Sequence, residues 1–227
     1  MKKEKIKIKI NNKVFLVEEG KLILEILNEN SINIPTLCYH KDVKTKNHCN
    51  MCLVEVNDKK EIKRACTTKA VEGMNIITKS DNLFKKRKNN LEKIVKKHLL
   101  ECNDCVWFLN CKLLELIKEF DLKLVSKKDE KDKVLQSGTI VFDQTKCFGC
   151  GNCVKVCPTG FLEIDSRGKI TLSKDKECIC CGQCILHCSV GAIEGVGEFE
   201  SLENLFKDKE KITVVQFAPS IRTSIGE

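Results

Sequence analysis

The stretch Cys147-Phe148-Gly149-Cys150-Gly151-Asn152-Cys153-Val154-Lys155-Val156-Cys157-Pro158 decides the reading of this chain. It recurs 31 residues on as Cys178-Ile179-Cys180-Cys181-Gly182-Gln183-Cys184-Ile185-Leu186-His187-Cys188-Ser189. Both copies space their cysteines as C-x2-C-x2-C-x3-C. Gly151 falls on Gly182, Asn152 on Gln183, Gly160 on Gly191 and Glu163 on Glu194, so the repeated segment is longer than its cysteines.

Three thiolates at i, i+3 and i+6 on a tight loop can wrap three corners of an iron–sulfur cube and leave the fourth corner for a distant cysteine. This is the spacing of bacterial two-cluster ferredoxins, in which the fourth cysteine of each run serves the other cluster. The pattern assigns Cys147, Cys150, Cys153 and Cys188 to one [4Fe-4S] cluster, and Cys157, Cys178, Cys181 and Cys184 to a second. Zinc prefers pairs of C-x2-C to a triplet plus a delayed cysteine, and disulfides need an oxidising compartment. Ser189 replaces the proline that Pro158 supplies in the first copy, and a looser turn is expected there. Cys180 is left over and reads as a non-ligand thiol, buried as cysteines commonly are.

Sixteen cysteines in 227 residues, with one tryptophan and one tyrosine, suggest small domains held partly by metal. The start, Met1-Lys2-Lys3-Glu4-Lys5, is no secretory signal, and no apolar run approaches a membrane span. A cytoplasmic protein is expected, where thiols stay reduced. The formal charge of +8 would point to nucleic acid if it stood. Bound clusters cancel most of it, leaving about +1 if four bind, so no nucleic-acid partner is expected. The run Lys85-Lys86-Arg87-Lys88 reads as a solvated helix face.

At the amino terminus, Lys and Ile alternate from Lys5 to Ile10, Asn11-Asn12 suits a tight turn, and Val14 to Val17 returns the chain. Helical spacing of Leu22, Ile23, Ile26 and Leu27 predicts a helix from Lys21 to Asn30. Four cysteines follow, Cys38, Cys49, Cys52 and Cys66, flanking a short strand from Leu53 to Val56. Four thiolates with one close pair suit a [2Fe-2S] rhomb, and zinc fits the same spacing. Further on, Leu91, Ile94, Val95 and Leu99 share one helical face, and the segment ends in His98-x3-Cys102-x2-Cys105-x5-Cys111. Taken alone this is equally a Cys3His zinc site. A helix over 112–125, a linker over 126–137 and a hairpin of Glu163-Ile164-Asp165 with Lys169 to Leu172 are expected after it.

Three stretches carry a family resemblance: Pro35-Thr36-Leu37-Cys38-Tyr39-His40, His48-Cys49-Asn50-Met51-Cys52-Leu53-Val54-Glu55-Val56 and Arg64-Ala65-Cys66. They resemble the amino-terminal [2Fe-2S] domain of the large iron–sulfur subunit of complex I and of [FeFe]-hydrogenases. Asn50 departs from the arginine common there. The resemblance implies a [2Fe-2S] cluster on Cys38, Cys49, Cys52 and Cys66 and a [4Fe-4S] cluster on His98, Cys102, Cys105 and Cys111, with His40 and His48 as surface or hydrogen-bonding residues. Trp107 then packs over the latter cluster. The segment from Lys211 through Phe217-Ala218-Pro219-Ser220 to Glu227 resembles the passage of [FeFe]-hydrogenases into their catalytic domain, and Ile212 to Phe217 reads as a strand. Formate dehydrogenase alpha subunits carry a similar cluster array.

These readings give an α+β chain with four parts. A β-grasp [2Fe-2S] ferredoxin domain occupies 1–79, a small helical His(Cys)3 domain 80–125, a two-cluster bacterial ferredoxin domain 138–196 and a hydrogenase-like segment 197–227. One [2Fe-2S] and three [4Fe-4S] clusters are implied. No cysteine follows Cys188, and no catalytic constellation is found. The expected role is electron transfer between a redox partner, a ferredoxin or an NADH-oxidising subunit, and a separate catalytic hydrogenase chain. A truncated or split hydrogenase subunit and a redox or iron sensor are the alternatives.

Overall fold

The computed structural model describes residues 4–41, 43, 48–57, 61–96, 98, 102, 108–123, 134–197, 199–214 and 216. The chain forms two compact units, Met1–Gly195 and Val196–Glu227. The first is α+β.

Strand β1 (Lys5–Ile10) pairs antiparallel with β2 (Lys13–Glu18), Ile10 facing Lys13 across the turn. Asn11 and Asn12 both take positive φ, 47° and 68°, the backbone a two-residue hairpin needs. Ile6, Ile8 and Ile10 point inward, and helix α1 (Ile23–Glu29) lays Ile23, Leu24, Ile26 and Leu27 on them. Strands β3 (Leu53–Val56), β4 (Glu61–Arg64) and β5 (Asn75–Ile77) complete a sheet of order β2-β1-β5-β3-β4, in which β5 runs parallel to β1. The strand β3 has no solvated face, and its Glu55 is buried. Ser80 Oγ and Asn82 Nδ2 donate to Glu55 at 2.9 and 3.0 Å. Ser80 also caps helix α2 (Asp81–Val95), accepting from the Leu83 amide at 3.1 Å. One serine thus ties the helix start to the sheet.

The helix α2 corrects one expectation. Arg87 leaves the solvated run, because Leu83, Arg87 and Leu91 stand four residues apart on the buried face. Its guanidinium finds the Leu53 and Thr78 carbonyls. Leu99 lies outside the described residues, as do Cys105 and Trp107. Helix α3 (Lys112–Glu119) is shorter than the expected 112–125. Asp121 turns to φ 47° directly after the C-cap Phe120, which stacks on Phe84 with centroids 5.0 Å apart.

The expected linker over 126–137 is partly overturned. Residues 126–133 lie outside the described residues, but Val134–Gln136 form strand β6 on the edge of β7 (Ile140–Asp143), where Leu135 faces Phe142. Two short helices, α4 (Asn152–Val156) and α5 (Gln183–Leu186), follow the cysteine triplets. Each starts after a left-handed glycine, Gly151 at φ 78° and Gly182 at φ 71°. The expected hairpin is β8 (Leu162–Ile164) with β9 (Ile170–Leu172), and β10 (Ile193–Gly195) returns to β7.

The second unit holds helix α6 (Phe199–Lys207), with Leu202, Leu205 and Phe206 exposed. The strand expected from Ile212 to Phe217 is absent among its described residues, 212–214 and 216. Ile212 and Val214 stand exposed with no partner strand, and a strand without a partner leaves its backbone groups unpaired.

Candidate metal centres

The four amino-terminal cysteines are all buried, on the loops that bracket β3. Their sulfurs meet in two pairs, Cys38 with Cys49 at 3.2 Å and Cys52 with Cys66 at 3.1 Å. Within each pair the sulfur–sulfur contact splits the two thiols: it lowers the pKa of Cys49 and Cys52, while the same contact and burial raise Cys38 and Cys66. Two thiolate-bearing pairs side by side suit a rhomb in which each iron takes two protein sulfurs. Arg87 is the residue that sequence reasoning missed here. Its buried guanidinium bonds the carbonyl of Leu53, next to Cys52, and attracts that thiolate against the desolvation that depresses its own pKa. Its place four residues from both Leu83 and Leu91 was the signal that could have found it.

His98, Cys102 and Cys111 line one cavity of about 220 Å³. The helix α2 delivers the imidazole, whose backbone amide donates to the Val95 carbonyl at 3.0 Å. Cys111 is the N-cap of α3, its sulfur accepting from the Leu114 amide at 3.4 Å at the positive end of the helix. Burial first, and then the charge of Lys146, push His98 down to about 4, with Asp143 opposing. The ring is therefore neutral at pH 7, the form that binds metal. Its Nδ1 is buried with no partner among the described residues, which suits a side chain meant for a metal. Lys112 and Lys146 face the same cavity. Thr36 accepts from Lys112 at 2.9 Å, and Asp143 and Glu194 hold Lys146 at 3.8 and 3.7 Å. These are fixed cations beside a site that would carry negative charge.

Around the repeat, Cys147, Cys150, Cys153 and Cys188 line one cavity of about 20 Å³, and Cys157, Cys178, Cys181 and Cys184 line another of about 200 Å³. Each set takes three cysteines from one run and the last from the other. Burial raises Cys147 and Cys153, brings Cys150 to about 12 and Cys184 to about 11, so these thiols need the positive charge of a metal to ionise. Backbone amides already point at sulfur: Gly149 at Cys147, 3.3 Å, and Ala192 at Cys188, 3.1 Å. At Cys157 burial is outweighed by hydrogen bonds from Leu162 and Thr159, and its pKa falls. The sulfurs and the imidazole lining these cavities are of the type that iron–sulfur clusters take.

Two expectations change. Cys180 is exposed, not buried, and sits at φ 56°. It occupies the place of Gly149, φ 80°, in a loop that needs a left-handed residue there. The turn at Ser189 is no looser than its counterpart. Gly160 donates to Cys157 and Gly191 to Cys188, both at 3.3 Å. His48 is exposed, while His40 sits against His187 with ring centroids 4.4 Å apart.

Residues 3–81 match the family described as 2Fe-2S iron-sulfur cluster binding domain, and residues 139–189 match the 4Fe-4S dicluster domain. Iron hydrogenase 1 of Clostridium pasteurianum is 31% identical over 96% of this chain, which spans 41% of that protein. A subunit of the NADH-quinone oxidoreductase of Rhizobium meliloti is 28% identical over 67% of this chain and 18% of its own length. A chain of the NAD+-reducing [NiFe]-hydrogenase in the H2-reduced state shares the fold, with a TM-score of 0.74 at 21% identity, covering 84% of this chain and 87% of that one. The chain carries the amino-terminal iron–sulfur region shared by iron hydrogenases, the NADH-quinone oxidoreductase subunit and formate dehydrogenases. It is an iron–sulfur electron-transfer module that holds a [2Fe-2S] cluster and [4Fe-4S] clusters. Among the described residues no helix is long and apolar enough to cross a membrane.

Proposed function

We propose that the chain is a four-cluster electron relay. A β-grasp domain holds [2Fe-2S] on Cys38, Cys49, Cys52 and Cys66, and a small helical domain holds [4Fe-4S] on His98, Cys102, Cys105 and Cys111. A two-cluster ferredoxin domain holds the remaining two [4Fe-4S] clusters on the crossed sets of the repeat. The clusters supply one-electron steps at low potential. The protein's part is to space them and to exclude water. The observation that carries the reading is adjacency: Cys188 lines both the cavity of Cys147, Cys150 and Cys153 and the cavity of His98. Two donor sets therefore meet at Cys188, with Cys38 and Cys49 packed in the same apolar core, while the fourth set, with Cys181 exposed, reaches the surface. Electrons would pass inward to the first half and leave or enter at the second, beside exposed Ile179 and Leu186, where a redox partner docks. The partners proposed are a ferredoxin or NADH-oxidising subunit on one side and a catalytic hydrogenase chain on the other.

A second reading makes this chain one portion of a larger hydrogen-converting enzyme, and the alignment to iron hydrogenase 1 over 96% of the chain favours it. Anaerobic reconstitution followed by iron and sulfide analysis and EPR tests both. About fourteen irons are expected, as one [2Fe-2S] and three [4Fe-4S] clusters, with dye reduction but no hydrogen turnover by the chain alone. Stoichiometric zinc at two or more sites would overturn the cluster assignment, hydrogen turnover by the chain alone would overturn the relay reading, and turnover only when a catalytic chain is added would favour the second reading.

A further inference from the structure

Asn152 is 3% exposed and lies between two predicted ligands, Cys150 and Cys153, as the first residue of α4. Its Nδ2 donates to the Cys38 carbonyl at 3.2 Å, across 114 residues of sequence, and to the His187 carbonyl at 3.5 Å. It also lines the cavity of His98. A primary amide carries two N–H donors, and here each has one carbonyl. Its Oδ1 is buried with no partner among the described residues. An apolar residue would avoid that cost, so the amide is explained by its donors. The repeat itself does not demand it, since the equivalent Gln183 is exposed.

The carbonyls that Asn152 reaches are not arbitrary. One belongs to a predicted [2Fe-2S] ligand, Cys38, and the other to the residue before Cys188, the fourth ligand of the first-half site. We propose that Asn152 is a positioning residue that pins the [2Fe-2S] ligand loop to the first-half ligand loop and so sets the electronic contact between those two clusters. This rests on the cluster assignment above. The step it serves moves one electron, one site being oxidised as the other is reduced, and it forms or breaks no bond and needs no co-reactant.

The test uses the full reconstituted chain and three variants. Asn152→Asp is isosteric but turns an acceptor towards two carbonyls. Asn152→Ser keeps one short donor. Asn90→Ala is the control, because Asn90 Nδ2 donates to the Asn50 carbonyl at 2.9 Å, on the same [2Fe-2S] segment but away from the repeat. In the fully reduced protein the [2Fe-2S] EPR signal should be broadened and relax fast through the neighbouring spin. Asn152→Asp should lose that broadening with its iron content kept, Asn152→Ser should lose part of it, and Asn90→Ala should keep it. Amide hydrogen exchange over residues 36–39 should rise in both Asn152 variants alone. Unchanged broadening and exchange in Asn152→Asp and Asn152→Ser overturn the proposal. So does a fully loaded wild-type protein whose [2Fe-2S] spin is isolated, which leaves the cluster assignment standing. If Asn152→Asp fails to load, the serine variant decides by the same two readouts. Failure of the wild-type protein to bind iron would instead sink the assignment, and the exchange measurement would still decide whether Asn152 docks the loop.

Discussion

The two halves of the cysteine repeat share a spacing, a left-handed glycine before each helix and a turn closed at the same distance, yet they lie at different depths. In the first half Cys153 is 7% exposed and its set surrounds about 20 Å³, with Asn152 and Gly151 buried beside it. In the second, Cys181, Ile179 and Cys180 line a cavity of about 200 Å³ and are exposed, as are Gln183 and Leu186 nearby. Ligand spacing therefore decides what is bound, while the elements laid over each loop decide how wet it is. The first half has the [2Fe-2S] loops, α2 and α3 in the same apolar core. The second half puts Cys184, Val190 and Ala192 into that core too, but leaves Ile179, Cys180 and Cys181 exposed. Solvent exposure and hydrogen bonds to sulfur are two of the levers on cluster potential, so the two [4Fe-4S] sites should differ in potential despite equal ligands.

The largest effect expected from that contrast is on cluster retention. Cys153→Ser should remove the first-half cluster, open the shared core and lower Tm by roughly 10 °C, since metal binding is folding free energy and a kcal/mol is worth about 2–4 °C at this size. Cys181→Ser, at the surface, should lose its own cluster but less than half as much Tm. Calorimetry with iron analysis compares the two, and equal losses would erase the distinction between inner and outer sites.

The imidazole of His98 sharpens the comparison from the side. As a neutral ligand it would leave its site one negative charge short of an all-cysteine cluster. His98→Cys should lower the potential of that site by on the order of 100 mV. Because Cys188 lines the His98 cavity as well as the first-half one, the added charge should also lower the first-half potential, and more than that of the second half. EPR-monitored redox titration reads all three. No shift at any site would show that His98 is not a ligand.

A smaller effect is expected from pH on the iron-free chain. Cys150 is pushed up to about 12 and Cys184 to about 11, above the unfolded value of about 8.5. Between these limits the folded chain holds protons that the unfolded chain has lost, so stability is intact below about pH 8.5 and falls as pH rises through 11 to 12. The fall should begin at one pH in both halves but continue further for the first, and iron should abolish it. Denaturant midpoints for Cys150→Ser and Cys184→Ser across that range check the sign.

Much of this was legible in the chain. The hairpin at Asn11-Asn12, the crossing helix and the two cysteine triplets with their left-handed glycines follow from local spacing, which survives folding because a chelating loop or tight turn involves few residues. Long-range pairing left fainter marks. The strand β5 is three residues long, and β10 finds β7 across about fifty residues, with no periodicity to announce either. Val134-Leu135-Gln136 beside Lys131-Asp132-Lys133 read as linker because an edge strand needs few apolar side chains. Arg87 was hidden by the charged residues around it, although its helical period placed it inward. The bonds of Asn152 had no signal in sequence, since a contact across 114 residues depends on how three cysteine loops are brought together.

The smallest expected effect isolates the one difference inside the otherwise matched turns. Cys157-Pro158-Thr159-Gly160 and Cys188-Ser189-Val190-Gly191 both close with a 3.3 Å bond to a left-handed glycine, at φ 68° and 60°. Proline and serine occupy the same position, i+1, where a turn of type I or II wants φ near −60° and proline supplies it in advance. The Ser189 hydroxyl, meanwhile, is buried with no partner among the described residues. Ser189→Pro therefore reduces the freedom of the unfolded chain and removes an unsatisfied group, while the turn's own bond, from Gly191 to Cys188, is untouched. A gain of about 0.5–1 kcal/mol is expected, seen as a rise of about 1–4 °C in Tm with iron content unchanged. The converse, Pro158→Ser, should cost about as much. A loss of stability in Ser189→Pro would mean that the two turns differ in backbone where their hydrogen bonds agree, and the halves of the repeat would then be less alike than their cysteines.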